Sequence, residues 1–158
     1  MTVRRAAAIP PLVRRPLAAT WPAERLLYLG IRGWVSARRQ GAAPADLVSG
    51  AIARRTSGRA AALFTAWIQA VEAGGLRPIE IQCADCGGVS QDEQRLVIAC
   101  GGAPVAFDEA QALLEPLVRD AQAITVLGRA LNFALAQAGW RLPCRLGAEP
   151  FAHTPTLH

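Results

Sequence analysis

Lysine is absent from this chain of 158 residues, and all 17 of its basic side chains are arginine. Without lysine, the chain cannot complete a glycine-rich phosphate loop, whose lysine reaches the bound phosphates. Histidine is scarce as well, since His153 and His158 are the only two, and neither has the sequence context of a catalytic triad. The sequence therefore names no active site, which favours a binding or regulatory module over an enzyme without deciding between them.

Long uncharged apolar runs are also missing. The longest candidate, 121–140, is interrupted by Gly128, Arg129, Asn132 and Gln137, so it predicts a buried helix and not a membrane span. Prolines interrupt the basic N-terminus before an apolar signal core of about 7–15 residues can form. These features predict a cytoplasmic protein without a membrane span. Apolar residues make up 52% of the chain, which is enough for a packed core.

Cysteine is sparse, with four residues in the whole chain. Secreted domains that depend on disulfides are usually shorter and denser in cysteine. Reduced thiols are therefore the default expectation.

Apolar periodicity and helix-capping residues predict an all-α fold. We expect a single-domain bundle of about six helices, with a Cys-x-x-Cys turn between two three-helix halves. The expected helices start at Thr20-Trp21-Pro22, Pro44, Arg59, Ser90, Asp108 and Ala121, and glycines end several of them. Residues 1–19 are expected to form a flexible Arg/Pro-rich arm, 20–143 the helical domain, and 144–158 an irregular tail.

Two of these helix starts carry adjacent acids, Asp92-Glu93 and Asp108-Glu109. Ser90 and Glu93 have the spacing of a capping box, and Asp108 is expected to cap its helix. Helix capping explains these acidic pairs without acid–base catalysis.

Cys83 and Cys86 have the spacing of a metal knuckle, and Gly87-Gly88 follows them. Two thiols on one tight turn can bind one ion, and a structural zinc site needs four ligands. Because no second Cys-x-x-Cys follows, Cys100 or Cys144 would have to complete the site, or a dimer partner would supply ligands; His153 and His158 in the tail are further possible ligands. Zinc is thus the expected cofactor if there is one, with Cys100 and Cys144 as weak candidates.

Other interpretations of the cysteines stay open. Cys100 shares a helix face with Leu96 and Val97, which favours a core position. A thioredoxin-like role for Cys83 and Cys86 is disfavoured, because the next helix starts only near Ser90. The intervening Asp85 would also raise a thiol pKa. Structural thiols or a redox switch remain alternatives.

Charge is unevenly distributed along the chain. Residues 1–60 carry 11 arginines against two acids, a net +9, whereas residues 61–158 carry 6 against 10, a net −4. Such a basic third can bind an acidic protein or a nucleic acid, or it can attract the acidic half of its own chain. The aromatic interleaving typical of single-strand binders is absent.

Three segments together resemble a family of short helical bacterial proteins known only as a domain of unknown function. They are Glu24 to Trp34, Cys83 to Val97 and Ala134 to Pro143. The resemblance spans residues 20–143 and implies a small helical protein, but it implies no activity or ligand. The pathway, partner identity and oligomeric state do not follow from the sequence.

We therefore expect an intracellular binding or regulatory module with a metal- or thiol-bearing turn. An Arg-rich nucleic-acid-associated protein and a thiol redox switch are the two alternatives.

Overall fold

The computed structural model describes residues 16–146, and this part of the chain contains six α-helices and no β-strand. The helices are α1 (Pro22–Arg39), α2 (Gly50–Arg55), α3 (Gly58–Ala73), α4 (Gln91–Gly102), α5 (Phe107–Leu114) and α6 (Ala121–Gln137). The predicted all-α class is confirmed, with the Cys-x-x-Cys turn between α3 and α4. No helix in residues 16–146 has both the length and the apolar character needed to cross a bilayer.

Helix α1 begins one residue later than its capping pattern predicts. Pro22 occupies the first helical position, and Glu24 reaches back to accept a hydrogen bond from the Trp21 N–H at 2.9 Å. Thr20 instead donates its hydroxyl to the Leu17 carbonyl at 2.6 Å. At the other end the chain turns at Gly41, whose φ of +70° suits a residue without Cβ.

Two further helix predictions need correction. The segment expected to form one helix from Pro44 consists of a π-type turn, Ala45–Ser49, followed by α2. Asp108 lies in the first turn of α5 and is not its cap, because Ala106 holds that position. Helix α5 ends before Pro116, which cannot supply the amide hydrogen that helix continuation needs.

The core is shared by both halves of the chain. Its largest fully buried side chains come from α1, α3, α4, α5 and α6 and include Trp34, Phe64, Trp67, Leu96, Leu113 and Leu131. The rings of Phe64 and Trp67 lie 5.9 Å apart in a tilted arrangement. The two halves therefore pack as one bundle around a common core.

Helix α4 ends at Gly102, so the glycines that the sequence places at its end, Gly101 and Gly102, are its last two residues. Both are buried, and they allow the segment after α6 to pack closely against the helix. A Cβ at Gly101 would collide with the backbone carbonyl of Pro143, and one at Gly102 would meet Leu146. These glycines therefore also serve close packing at the end of the helix.

The predicted arm and tail lie mostly outside the described residues, which exclude 1–15 and 147–158. Where the described part begins, Leu17–Ala19 form a 3₁₀ turn, and the Leu17 N–H donates to the Gly87 carbonyl at 2.8 Å. Near its other end, Arg145 forms an ion pair with the buried Glu24 at 2.6 Å. Both ends of the described chain are thus attached to the bundle.

Replacing Gly101 tests the close packing on α4. Gly101→Ala is expected to lower the free energy of unfolding by about 1–3 kcal/mol, because the methyl group would displace the Pro143 backbone. Urea unfolding followed by circular dichroism measures the change. Gly58→Ala is the matched control, since no atom lies near its added methyl, and should leave stability equal or raise it by up to about 1 kcal/mol. Equal stability of the two variants would contradict this account.

Candidate functional site

The Cys83–Cys86 turn lies in the long connection between α3 and α4, and the two cysteines form a disulfide. Their Cα atoms are 5.2 Å apart, and the Cys86 N–H donates to the Cys83 carbonyl at 3.1 Å. Cys83 is exposed and Cys86 is half-buried. The disulfide is therefore accessible to solvent on one side.

A buried arginine from α1 holds this turn from beneath. The guanidinium of Arg32 donates to the carbonyl of Cys86 at 2.7 Å and to the carbonyl of Gly88 at 2.6 Å. The same group forms a bidentate ion pair with Glu93, at 2.7 and 3.1 Å. The side chains of Arg32 and Glu93 are 1% and 0% exposed. All of these hydrogen bonds are charge-assisted, the two to Glu93 are buried and the two to the carbonyls are partly buried, so together they fix the backbone of the turn.

Glu93 has a second task at the start of α4. Its carboxylate accepts the Ser90 N–H at 2.8 Å, while the Ser90 hydroxyl accepts the Glu93 N–H at 3.1 Å. This capping box confirms the sequence prediction. The carboxylate also accepts the N–H of Gln82 at 3.3 Å, just before the turn. One side chain therefore joins α1, the start of α4 and both flanks of the disulfide.

Asp92 holds the earlier part of the connection. It forms a bidentate ion pair with Arg77, at 2.7 and 2.8 Å, and accepts the Glu80 N–H at 2.8 Å. The hydrogen bond from Arg77 holds the pKa of Asp92 below its usual range, and the Glu80 amide acts in the same direction. The adjacent acids Asp92 and Glu93 thus each anchor part of the loop, and Glu93 also caps α4.

The remaining cysteines lie in different settings. Cys100 is fully buried on α4, where its sulfur packs near Gly128 and Trp67. Burial raises the pKa of its thiol far above the usual range, so it stays protonated. Cys144 is exposed, and its thiol donates to the Leu146 carbonyl at 3.0 Å. Cys100 is therefore a core residue, as its helical spacing suggests.

Of the four predicted metal ligands, the structure joins only Cys83 and Cys86. Within residues 16–146, no three His, Cys, Asp or Glu side chains are grouped so that they could hold a metal ion. His153 and His158 lie outside that range. Any further ligands for Cys83 and Cys86 would have to come from residues outside 16–146 or from a partner molecule.

Sequence reasoning missed Arg32, the residue that organises the turn. A weak signal existed, because Arg32 lies directly beside Ile31 in the apolar stripe of α1, between Tyr28 and Val35. A charged residue next to such a stripe is a candidate for burial with a partner. The partner itself, Glu93, is 61 positions away in the sequence, and no local pattern connects the two.

The basic N-terminal third carries less free charge than its arginine count indicates. Arg32 is buried in its ion pair, and the exposed Arg38 pairs with Glu72 at 2.9 Å. Within residues 16–60, four other arginines are exposed and form no ion pair with a carboxylate of residues 16–146: Arg39, Arg54, Arg55 and Arg59. The available positive charge of this part of the chain is thus concentrated at the end of α1 and around α2.

Breaking the buried pair should be far more costly than breaking the exposed one. Arg32→Met leaves the carboxylate of Glu93 buried without its cation, and a loss of about 3–5 kcal/mol in unfolding free energy is expected. Arg38→Met, at the exposed pair with Glu72, should cost less than about 1 kcal/mol. Urea titrations of both variants measure the difference. Similar losses for the two would show that Arg32 does not stabilise the loop as described.

The lowered pKa of Asp92 predicts acid sensitivity. A carboxyl group with a depressed folded-state pKa stabilises the fold fully above its ordinary pKa of about 4, and this contribution is lost as the pH falls below that value. The stability advantage of the natural protein over Asp92→Asn should therefore shrink between about pH 5 and pH 2. Urea unfolding across this range measures it. A pH-independent advantage would be inconsistent with an ionised Asp92–Arg77 pair.

Comparison with known proteins adds no relative. No family model, curated protein or solved structure matches this chain. The resemblance to a family of short helical bacterial proteins therefore stays a prediction. Any proposal about function depends on the turn itself and on the residues that hold it.

Proposed function

We propose that this chain is a regulatory module in which Cys83 and Cys86 act as a reversible thiol–disulfide switch. The observation that carries the proposal is the position of the pair. The sulfurs are bonded to each other on an exposed turn, while Arg32 binds the backbone of that turn through atoms that oxidation does not alter.

This anchor allows the pair to open and close repeatedly. Arg32 and Glu93 contact carbonyl and amide groups and make no contact with sulfur, so reduction leaves these hydrogen bonds available. A turn held in this way keeps the two thiols close together after reduction. Closely held groups react as if at high concentration, which favours re-formation of the disulfide.

The chemistry is an ordinary thiol–disulfide exchange with an external thiol. An external thiolate attacks the Cys83 sulfur, forming a mixed disulfide and releasing Cys86 as a thiolate that takes up a proton. A second external thiolate attacks the external sulfur of the mixed disulfide and releases Cys83. Two electrons pass from two external thiols to the pair, and the external thiols become a disulfide.

Zinc binding by the reduced pair is the second candidate. The Cys86 N–H to Cys83 carbonyl bond closes a tight turn that places both sulfurs on one side, as a metal knuckle does. Because Cys100 is enclosed in the core, two further ligands would have to come from residues outside 16–146, such as His153 and His158, or from a partner molecule. This candidate requires the thiols to be reduced first, so the same experiment addresses both.

Alkylation in glutathione redox buffers tests the switch. In reducing buffer, Cys83 and Cys86 should both take up label, and in oxidising buffer neither should, with a single reversible transition detected by peptide mass spectrometry. Cys144 is exposed and is an internal control for a lone thiol, which labels in reducing buffer and forms a mixed disulfide with glutathione in oxidising buffer. Cys100 should label in neither until urea unfolds the protein. Cys86→Ser should leave Cys83 labelled or glutathionylated but without the transition.

The outcomes separate the candidates. Reversible closure supports the switch. A pair that stays oxidised in strongly reducing buffer while the protein is folded would make the disulfide purely structural. Stoichiometric zinc uptake by the reduced protein that prevents reoxidation would favour the metal role over the switch.

A further inference from the structure

A largely apolar groove of about 420 Å³ runs between α1 and α2, and we call it the α1–α2 groove. Two leucines at its edges remain substantially exposed, Leu29 at 41% and Leu47 at 60%. Leu26, Val48 and Ile52 contribute to its lining. The groove therefore offers apolar side chains that the described part of the fold leaves uncovered.

Glycines on α1 keep this groove open. Gly30 cannot carry a side chain without pressing on the Phe64 ring, since a Cβ there would lie 3.0 Å from the nearest ring atom. Gly33, one turn further along, lines the groove with its bare backbone. The nearest atom to a Cβ at Gly33 would be a methyl carbon of Val48, at 3.5 Å. The depth of the groove thus depends on the absence of side chains at two positions of α1.

The groove is bordered by the redox turn. Ala84, the residue that follows Cys83, is one of its lining residues. A chain segment lying in the groove would therefore pass beside the exposed disulfide. This position connects an apolar binding surface to the only disulfide in residues 16–146.

The charges around the groove favour one kind of occupant. Arg55 lines the groove, and Arg54 and Arg39 are exposed on the same two structural elements without a carboxylate partner in residues 16–146. Glu24 on α1 is buried in its pair with Arg145. Two exposed acids adjoin lining residues, Asp46 beside Leu47 and Asp85 beside Ala84. The three arginines outnumber these two acids, so the surroundings of the groove carry a net positive charge over an apolar floor.

We propose that the α1–α2 groove binds an apolar segment of another protein, flanked by acidic residues and carrying cysteine, and presents it to the Cys83–Cys86 disulfide. The inference rests on the proposed redox function and names the partner on which it acts. One cysteine of the partner, as its thiolate, attacks the Cys83 sulfur and forms a mixed disulfide. Cys86 is released as a thiolate that takes up a proton. A second partner cysteine attacks the partner sulfur, which completes the disulfide in the partner and returns Cys83 as a thiol.

Binding is tested without redox chemistry by a fluorescent peptide that has a leucine-rich centre, aspartates at both ends and serine in place of cysteine. Fluorescence anisotropy should show saturable binding that weakens with added salt. Leu47→Glu should weaken it by about tenfold or more, because it places a carboxylate at the groove where the acidic peptide binds. The side chain is exposed, so the variant should fold normally. Val105→Glu, at a site that is 76% exposed and does not line the groove, should bind like the natural protein.

A peptide with arginines in place of the aspartates distinguishes charge from simple apolar contact. It should bind at least about tenfold more weakly than the acidic peptide. Equal binding of both peptides, or equal effects of Leu47→Glu and Val105→Glu, would overturn the proposed partner. A dimer of this chain that Leu47→Glu dissociates would assign the groove to a second copy and would also overturn it.

The coupling to the turn is tested with the cysteine form of the acidic peptide and the Cys86→Ser variant. In that variant Cys86 cannot release the mixed disulfide, so the mixed disulfide accumulates on Cys83. Each peptide is supplied as an activated disulfide. Because the groove binds the acidic peptide more tightly, the acidic peptide should react with Cys83 several-fold faster than the arginine peptide. Leu47→Glu should remove this preference. Equal trapping rates would overturn the coupling.

The two proposals fail in different ways. If glutathione buffers cannot open the Cys83–Cys86 pair, the redox function fails, whatever the serine peptide does. If the pair opens reversibly but the serine peptide does not bind, the switch stands and the groove assignment fails.

Discussion

The buried ion pair between Arg32 and Glu93 is the interaction on which the loop depends. It neutralises two charges in a place where neither could remain alone, and it uses the spare donors and acceptors of both groups to hold the backbone. Arg32 donates hydrogen bonds to the carbonyls of Cys86 and Gly88, and the Glu93 carboxylate accepts hydrogen bonds from the N–H groups of Gln82 and Ser90. A connection without regular secondary structure thereby gains a fixed shape.

This arrangement explains how a disulfide with so short a spacing can matter in an otherwise helical protein. The disulfide closes a small ring, so its direct effect on chain entropy is modest. The ion pair holds the backbone of the turn, so in the proposed switch the redox state of Cys83 and Cys86 changes the chemistry of a surface that is already positioned. Because Ala84 lines the α1–α2 groove, that surface is continuous with the apolar groove.

The sequence predicts the helices well because their signals are local. Apolar spacing and caps such as Ser90 with Glu93 lie within a few residues of each other. What the sequence does not predict are features that depend on contacts between residues far apart in the chain. Gly101 and Gly102 mark the end of α4 as the sequence predicts, but no local pattern predicts their close packing against Pro143 and Leu146. Arg32 looks like one arginine in a basic segment, and its burial follows from a partner 61 residues away. The sequence identifies the Cys83–Cys86 pair, but it does not predict that Arg32 holds the turn or that the α1–α2 groove lies beside it.

The central claim is that the Arg32–Glu93 pair fixes the turn in both redox states. Amide hydrogen exchange of the natural protein, oxidised and reduced, tests it most directly. The account predicts that protection of the Gln82, Ser90 and Glu93 amides is retained on reduction, with changes confined to residues 83–87. Loss of protection across 80–93 on reduction would contradict the claim, because it would show that the disulfide holds the loop and the ion pair does not.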